Sequence, residues 1–132
     1  MTTHILALGG GGFSMSNRGE PTALDRHILD LSGTSSPLVC FAPTAAADDP
    51  VYINRFLAAY SALGVRSMVL TLWQGAAESV ERLSQADVVI SGGGSAANLV
   101  ALWKMHGVDH VIRRMIAADN DVVLAGVSAG AA

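Results

Sequence analysis

The residues with the clearest chemistry lie near the end of the sequence, where Ser128 is centred in the motif GVSAG, residues 126–130. The apolar, β-branched run 122–125 precedes this motif and predicts a strand. A G-x-S-x-G motif directly after a strand is typical of a nucleophile elbow, a sharp turn that exposes the serine hydroxyl at the edge of a sheet. The flanking glycines leave room for close contact with neighbouring strands. We therefore predict that Ser128 is a nucleophile.

A second motif, the triple glycine 92–94, follows a predicted strand at 88–90. Attack on an amide or ester places negative charge on the carbonyl oxygen, and two backbone N–H groups usually stabilise it, each contributing about 3 kcal/mol. One donor is normally the N–H of the residue after the nucleophile, here Ala129. The other must come from a neighbouring loop in which no side chain blocks the approach. The triple glycine meets that need.

The histidines, in contrast, are poorly placed to act as a general base. His4 opens the first predicted strand, and the other three lie on or beside predicted helices, which cover the faces of a sheet: His27, His106 and His110. The last two are four residues apart but lack the glutamate of the H-E-x-x-H zinc motif, so we predict no metal site.

Two alternative functions are weaker. The pattern Gly92-x-Gly94-x-x-Ala97 formally fits a dinucleotide fingerprint, but that fingerprint belongs after the first strand, with an acidic residue ending the second. No P-loop motif is present, and we predict no cofactor. An α/β-hydrolase esterase shares G-x-S-x-G, but its oxyanion loop is usually HGGG-like and lies further upstream. Here Ile90 and Ser91 precede the triple glycine.

Apolar runs that alternate with helical patterns must position these motifs. They predict strands at 5–8, 38–42, 67–72, 88–90 and 122–125, and helices at 21–32, 51–63, 78–83, 96–105 and 108–118. Such alternation indicates an α/β fold with three layers, a doubly wound and mostly parallel sheet. Sites in these sheets form at the carboxyl ends of the strands. We expect the glycine-rich loops 9–14, 92–95 and 126–130 to share that edge.

The composition excludes several partners. A net charge of −3, without a basic cluster, argues against nucleic acid, and no apolar run approaches the roughly 18 residues of a membrane helix. We predict that Cys40, the single cysteine, is a core residue, so no internal disulfide can form. We expect the protein to be cytoplasmic, in a reducing compartment. The 132 residues suit one domain, and their 51% hydrophobic content suits a parallel sheet buried on both faces.

Four segments together resemble the peptidase E family: GGGGFS after the first strand, FAPTAAADDPVYINRF after the second, SGGGSAANL after the fourth and AGVSAGA at the elbow. These enzymes are serine dipeptidases, often specific for an N-terminal aspartate, with a fold like that of class I glutamine amidotransferases. The resemblance runs along essentially the whole chain. It implies that Ser128 is the nucleophile, that Gly94 and Ala129 donate to the oxyanion, and that the substrate is a small peptide. Ser95 stands where relatives often have asparagine.

The chain departs from the family in its length, because the relatives are longer and their catalytic histidine and its acidic partner follow the serine. We expect residues 1–132 to be the N-terminal portion of a longer α/β domain and to be essentially inactive alone, since a serine without an adjacent base is a weak nucleophile. Either the remainder is a second chain docked on the open edge of the sheet, or the sequence is a fragment. A homo-oligomer is a separate option. A cyanophycinase-like peptidase and a non-catalytic interaction fragment remain alternatives.

Overall fold

A parallel β-sheet forms the centre of the fold. The computed structural model of the protein describes residues 3–9, 12–13, 20–118, 121–127 and 130. These residues contain five strands: β1 (Thr3–Leu8), β2 (Leu38–Ala42), β3 (Arg66–Val69), β4 (Val88–Ser91) and β5 (Val122–Val127). All pairings between them are parallel, and the order across the sheet is β1-β5-β4-β2-β3.

Helices cover both faces of this sheet. Their bounds are α1 (Ala23–Leu31), α2 (Pro50–Ala62), α3 (Ala76–Leu83), α4 (Ala96–His106) and α5 (Val108–Ala117), and a 3₁₀ turn lies at Thr44–Ala46. Side chains of α1 and α2 pack with one face of the sheet, and side chains of α3, α4 and α5 pack with the other. This confirms the predicted three-layer, doubly wound α/β fold.

The two faces have separate apolar cores. An aromatic group on the α1–α2 side brings the ring centroids of Phe41 and Phe56 to 4.8 Å and those of Phe56 and Tyr60 to 4.9 Å. Cys40 is fully buried on the opposite face, as predicted for a core residue. Burial raises the pKa of its thiol to about 12, so it is protonated at neutral pH. Strand β4 is buried along its whole length, as expected for a central strand covered on both sides.

Strands β3 and β5 end two or more residues away from their predicted ends. Strand β5 continues to Val127, where it still pairs with Leu8 of β1, so the first two residues of the GVSAG motif belong to the strand. Strand β3 ends at Val69 instead of continuing to Leu72. Beyond it, the N–H groups of Leu72 and Trp73 donate to the Asp48 carboxylate, at 2.7 and 3.0 Å, and so do not continue the ladder.

Asp48 and Asp49 are neighbours just before α2, but they have different functions. Asp49 is the N-cap, and its side chain accepts from the Val51 N–H at 3.0 Å. Asp48 instead joins the loop after β2 to the end of β3. Within the described ranges, no helix combines the length and apolar character needed to cross a membrane.

A buried carboxylate ties α1 to α2. Asp25 is only 2% exposed and accepts hydrogen bonds from the Thr22 N–H at 2.8 Å and the Tyr60 hydroxyl at 2.9 Å. Burial, followed by the charge and hydrogen bond of Asp25, raises the pKa of the Tyr60 hydroxyl above its usual range. The tyrosine is therefore a neutral donor to the carboxylate at physiological pH.

We predict that Tyr60→Phe lowers the free energy of unfolding by about 1–3 kcal/mol, because it removes one donor from a buried carboxylate oxygen. Urea denaturation followed by circular dichroism measures the change. An unaltered midpoint would show that this hydrogen bond contributes nothing to stability.

Candidate active site

The triple glycine after β4 lies against the turn that follows β2. The Gly92 N–H donates to the carbonyl of Ala42 at 3.0 Å, and the Ser95 N–H donates to the carbonyl of Ala45 at 2.7 Å. Between them, the Gly93 N–H donates to the hydroxyl of Tyr52 at 3.2 Å. Three backbone N–H groups of this loop are thus held by the neighbouring segment of chain.

Gly94, by contrast, keeps its N–H unengaged. Among the residues that the structure describes, this N–H has no hydrogen-bond partner, although those of the residues on either side of it do. Gly94 is also exposed. A backbone N–H that is free at the carboxyl end of a parallel strand is available to an oxygen atom of a ligand, which is the chemistry expected of an oxyanion-hole donor.

Only glycine fits at this position. A Cβ atom built on Gly94 would lie 2.1 Å from the carbonyl oxygen of Ala45, and its φ of +143° is one that other residues rarely adopt. At Gly92, a Cβ would lie 2.9 Å from the Tyr52 ring. The small residues therefore allow the loop to contact the turn after β2, a requirement that the sequence did not reveal. The next residue, Ser95, is the N-cap of α4 and accepts from the Asn98 N–H at 3.2 Å.

The GVSAG segment begins and ends beside the same loop. Gly126 pairs with Ser91, the last residue of β4. A Cβ atom on Gly130 would lie 2.2 Å from the carbonyl oxygen of Ser91 and 2.8 Å from that of Gly92, so this glycine packs directly on the β4 backbone. Ser128 and Ala129, the predicted nucleophile and second donor, lie outside the described residues.

The first glycine-rich loop also lies at this edge. Strand β1 pairs with β5 and runs parallel to it, so Gly9 follows the carboxyl end of a strand next to the GVSAG segment. Gly12 has a φ of +71°, and a Cβ there would lie 3.2 Å from the buried Asp25 carboxylate. The described residues of the three glycine-rich segments thus lie at or just after the carboxyl ends of three adjacent parallel strands, as expected from the sequence.

Of the four histidines, none lies on a loop at this edge. His4 is in the amino-terminal half of β1, where it pairs with Val123. The others are on helices: His27 on α1, His106 at the end of α4 and His110 on α5. Among the described residues, no group of three or more His, Cys, Asp or Glu side chains is arranged to hold a metal ion.

Tyr52 is the residue at this edge that the sequence did not single out. The apolar pattern of α2 places it in the helix, between the N-cap Asp49 and the core residue Phe56. Its only sequence signal was its position in the first turn of a helix that follows a loop at the carboxyl edge. The periodicity of the helix does not indicate that its hydroxyl reaches a loop 41 residues further along the chain.

A cavity of about 200 Å³ opens beside the GVSAG segment, on the face of the sheet covered by α4 and α5. Ile5 of β1 lines it and is 73% exposed. Gly130 also lines it, as does Ser91, whose buried hydroxyl has no hydrogen-bond partner among the described residues. The β1–β5 side of this face is therefore apolar, open and adjacent to the candidate site.

The sequence model of peptidase family S51 matches residues 5–132. The chain belongs to this family. It is 42% identical over 128 residues to the uncharacterized peptidase YgaJ of Bacillus subtilis (strain 168), an alignment that covers 96% of this chain and 54% of the relative. These matches confirm the resemblance drawn from the glycine and serine motifs.

Solved structures with the same fold include a candidate peptidase E protein from Listeria monocytogenes EGD-e, with a TM-score of 0.61 and 21% identity. A peptidase from an acI-B1 actinobacterium has a TM-score of 0.66 and 20% identity. Each comparison covers 97% of this chain, and 58% and 54% of the respective structures. The chain thus spans about half the length of the relatives it matches.

We predict that Gly94→Ala lowers the free energy of unfolding by about 1–3 kcal/mol, because the new methyl group overlaps the Ala45 carbonyl and the backbone must shift. Urea denaturation measures the loss. Gly9→Ala is the matched control, since no atom of the described residues lies within 4 Å of a Cβ there, and it should stay within about 0.5 kcal/mol of the parent. Equal effects of the two substitutions would contradict a tight contact at Gly94.

Proposed function

We propose that this chain supplies the nucleophile and the oxyanion hole of a serine peptidase that hydrolyses short peptides, in particular dipeptides with an N-terminal aspartate. Membership of peptidase family S51 supports peptidase chemistry. The observation that carries the proposal is the Gly94 N–H, which no described residue accepts, on a loop that contacts the end of the GVSAG segment at Gly130.

In the proposed reaction, the Ser128 oxygen attacks the carbonyl carbon of the peptide bond and gives up its proton to a general base. The N–H groups of Gly94 and Ala129 stabilise the negative charge that develops on the carbonyl oxygen. Collapse of the tetrahedral intermediate breaks the C–N bond, and the amine leaves with a proton. Water then hydrolyses the ester on Ser128, which releases the acid and restores the hydroxyl.

The general base and its acidic partner come, in this proposal, from the polypeptide that the longer relatives have in addition. The positions of the four histidines, on helices and in the amino-terminal half of β1, support this view. We place that polypeptide on the open apolar face beside Ile5, which holds the cavity and the Ser91 hydroxyl that no described residue contacts by a hydrogen bond. Whether it is the same chain or a second one, it would bring the base to the edge that holds Ser128.

The preference for an N-terminal aspartate and the cytoplasmic location rest on the resemblance to peptidase E and on the composition. An aspartate-rich polymer, the substrate of a cyanophycinase-like enzyme, would use the same nucleophile and the same donors. A non-catalytic interaction fragment would retain the fold but leave the serine unreactive. The experiment below separates these three functions.

The test compares residues 1–132 alone with the same residues joined to the C-terminal part of the Bacillus relative. We expect the joined protein to react with a fluorophosphonate at Ser128, because the added part supplies the base. The proposed preference for an N-terminal aspartate predicts that it hydrolyses Asp-Leu at least about 10-fold faster than Ala-Leu. Residues 1–132 alone should be slower by about 10³-fold or more, as is typical when a triad member is missing. Peptide mapping of the label and chromatography of the products measure both quantities.

Ser128→Ala should abolish labelling and hydrolysis, whereas Ser61→Ala, at an exposed position on α2, should change neither.

Hydrolysis of an aspartate-rich polymer but not of Asp-Leu would favour the cyanophycinase-like function. A joined protein that unfolds cooperatively but neither labels nor hydrolyses would support the interaction fragment. Comparable hydrolysis by residues 1–132 alone would refute the proposal that the general base comes from the added polypeptide. The intact mass of the protein from its source shows whether the remainder is covalently joined.

A further inference from the structure

We propose that Tyr52 is a positioning residue for the oxyanion hole. Its hydroxyl accepts the hydrogen bond of the Gly93 N–H, and this contact orients the neighbouring Gly94 N–H toward the substrate. The inference rests on the proposed function, because it assigns Tyr52 to the same site. Tyr52 is not placed in contact with the reacting atoms, and its effect passes through the glycine loop.

The ring of Tyr52 is itself held firmly. Its centroid lies 4.9 Å from that of Phe41 on β2 and 6.0 Å from that of Phe13, which follows β1. Both phenylalanines belong to the buried core between the sheet and helices α1 and α2. The hydroxyl therefore has a fixed position relative to the sheet, which makes it a suitable anchor for a loop at the sheet edge.

The same ring restricts the loop by contact. A Cβ atom on Gly92 would lie 2.9 Å from the Tyr52 hydroxyl oxygen and 2.9 Å from the ring carbon Cε2. The ring therefore packs against the backbone of Gly92, and its hydroxyl oxygen accepts from the N–H of Gly93. Two successive residues of the loop are fixed by one side chain.

A triple glycine needs such an anchor because its peptide planes rotate at little steric cost. The N–H of Gly93 belongs to the peptide plane between Gly92 and Gly93, and the next plane carries the N–H of Gly94. With the first plane bonded to Tyr52, and the Ser95 N–H bonded to Ala45, the plane between Gly93 and Gly94 is held from both sides. Without the hydroxyl, the first plane loses its partner and the N–H of Gly94 is no longer restricted to one direction.

The test is Tyr52→Phe in the joined protein described above, with steady-state kinetics on Asp-Leu. We expect kcat to fall about 10- to 100-fold, up to the loss typical of an absent oxyanion donor, while KM changes less than about 3-fold. A larger change in kcat than in KM is expected because an oxyanion hole stabilises the transition state more than the bound substrate. Unchanged kcat, or a rise in KM with constant kcat, would overturn the inference.

Tyr60→Phe is the matched control, since Tyr60 lies on the same helix but bonds to Asp25 instead of the loop. It should lose stability and keep kcat at a temperature at which it is folded. If both variants lose kcat equally, the effect of Tyr52 is a general one on the fold and the inference is wrong.

A second measurement does not depend on peptidase activity. In residues 1–132, Tyr52→Phe should accelerate hydrogen exchange of the Gly93 amide by about 10-fold or more and shift the Gly94 amide resonance, with amides in β2 unaffected. An unchanged exchange rate of the Gly93 amide would show that the Tyr52 hydroxyl does not hold this N–H. If the anchor is present but the joined parent protein hydrolyses no peptide, then the proposed function fails while the contact between Tyr52 and the loop stands.

Discussion

The close approach between the glycine loop after β4 and the turn after β2 is the contact on which the candidate site depends. At Gly94 the backbone of the loop and the carbonyl of Ala45 are so near that no side chain fits between them. This proximity brings the Ser95 N–H to the Ala45 carbonyl, while the Gly94 N–H before it has no partner within the described part of the chain. Because Gly94 is exposed, its N–H can stay available to a ligand, whereas a buried N–H would need a partner within the protein. Here the engaged neighbours on both sides fix where it lies.

The turn after β2 is fixed by contacts with several other elements. Thr44 is fully buried and its hydroxyl accepts from the indole N–H of Trp103 on α4 at 3.0 Å. Ala47 and Asp48 both have φ near +55°, a conformation that is uncommon outside glycine, and the Asp48 carboxylate ties this strained segment to the residues after β3. The position of the Gly94 donor therefore depends on β2, β3 and α4 as well as on its own strand.

The sequence was sufficient to predict the elements and the family, because both depend on local patterns. Apolar runs that alternate with helical patterns identified the five strands found in the described residues, and the GGG and GVSAG motifs carried the resemblance. It was insufficient for contacts between distant segments. Asp48 and Asp49 look alike as candidate caps, but one accepts from residues 24 and 25 positions away. In the sequence Tyr52 is only one more position of a predicted helix, although its hydroxyl accepts a hydrogen bond from the glycine loop. Such contacts depend on which strands are neighbours, and periodicity does not contain that information.

The two halves of the proposed chemistry differ in where their geometry originates. The donor side is built from segments within these residues: an aromatic core that fixes Tyr52, a turn that fixes the Ser95 N–H, and a glycine that permits the contact. The proton-accepting side has no counterpart among the described histidines. Electrostatic stabilisation of an oxyanion requires donors that are oriented before the reaction begins. A rigid donor loop that does not depend on the remainder of the relatives' chain would meet this requirement, because the added polypeptide would then have to place only the base.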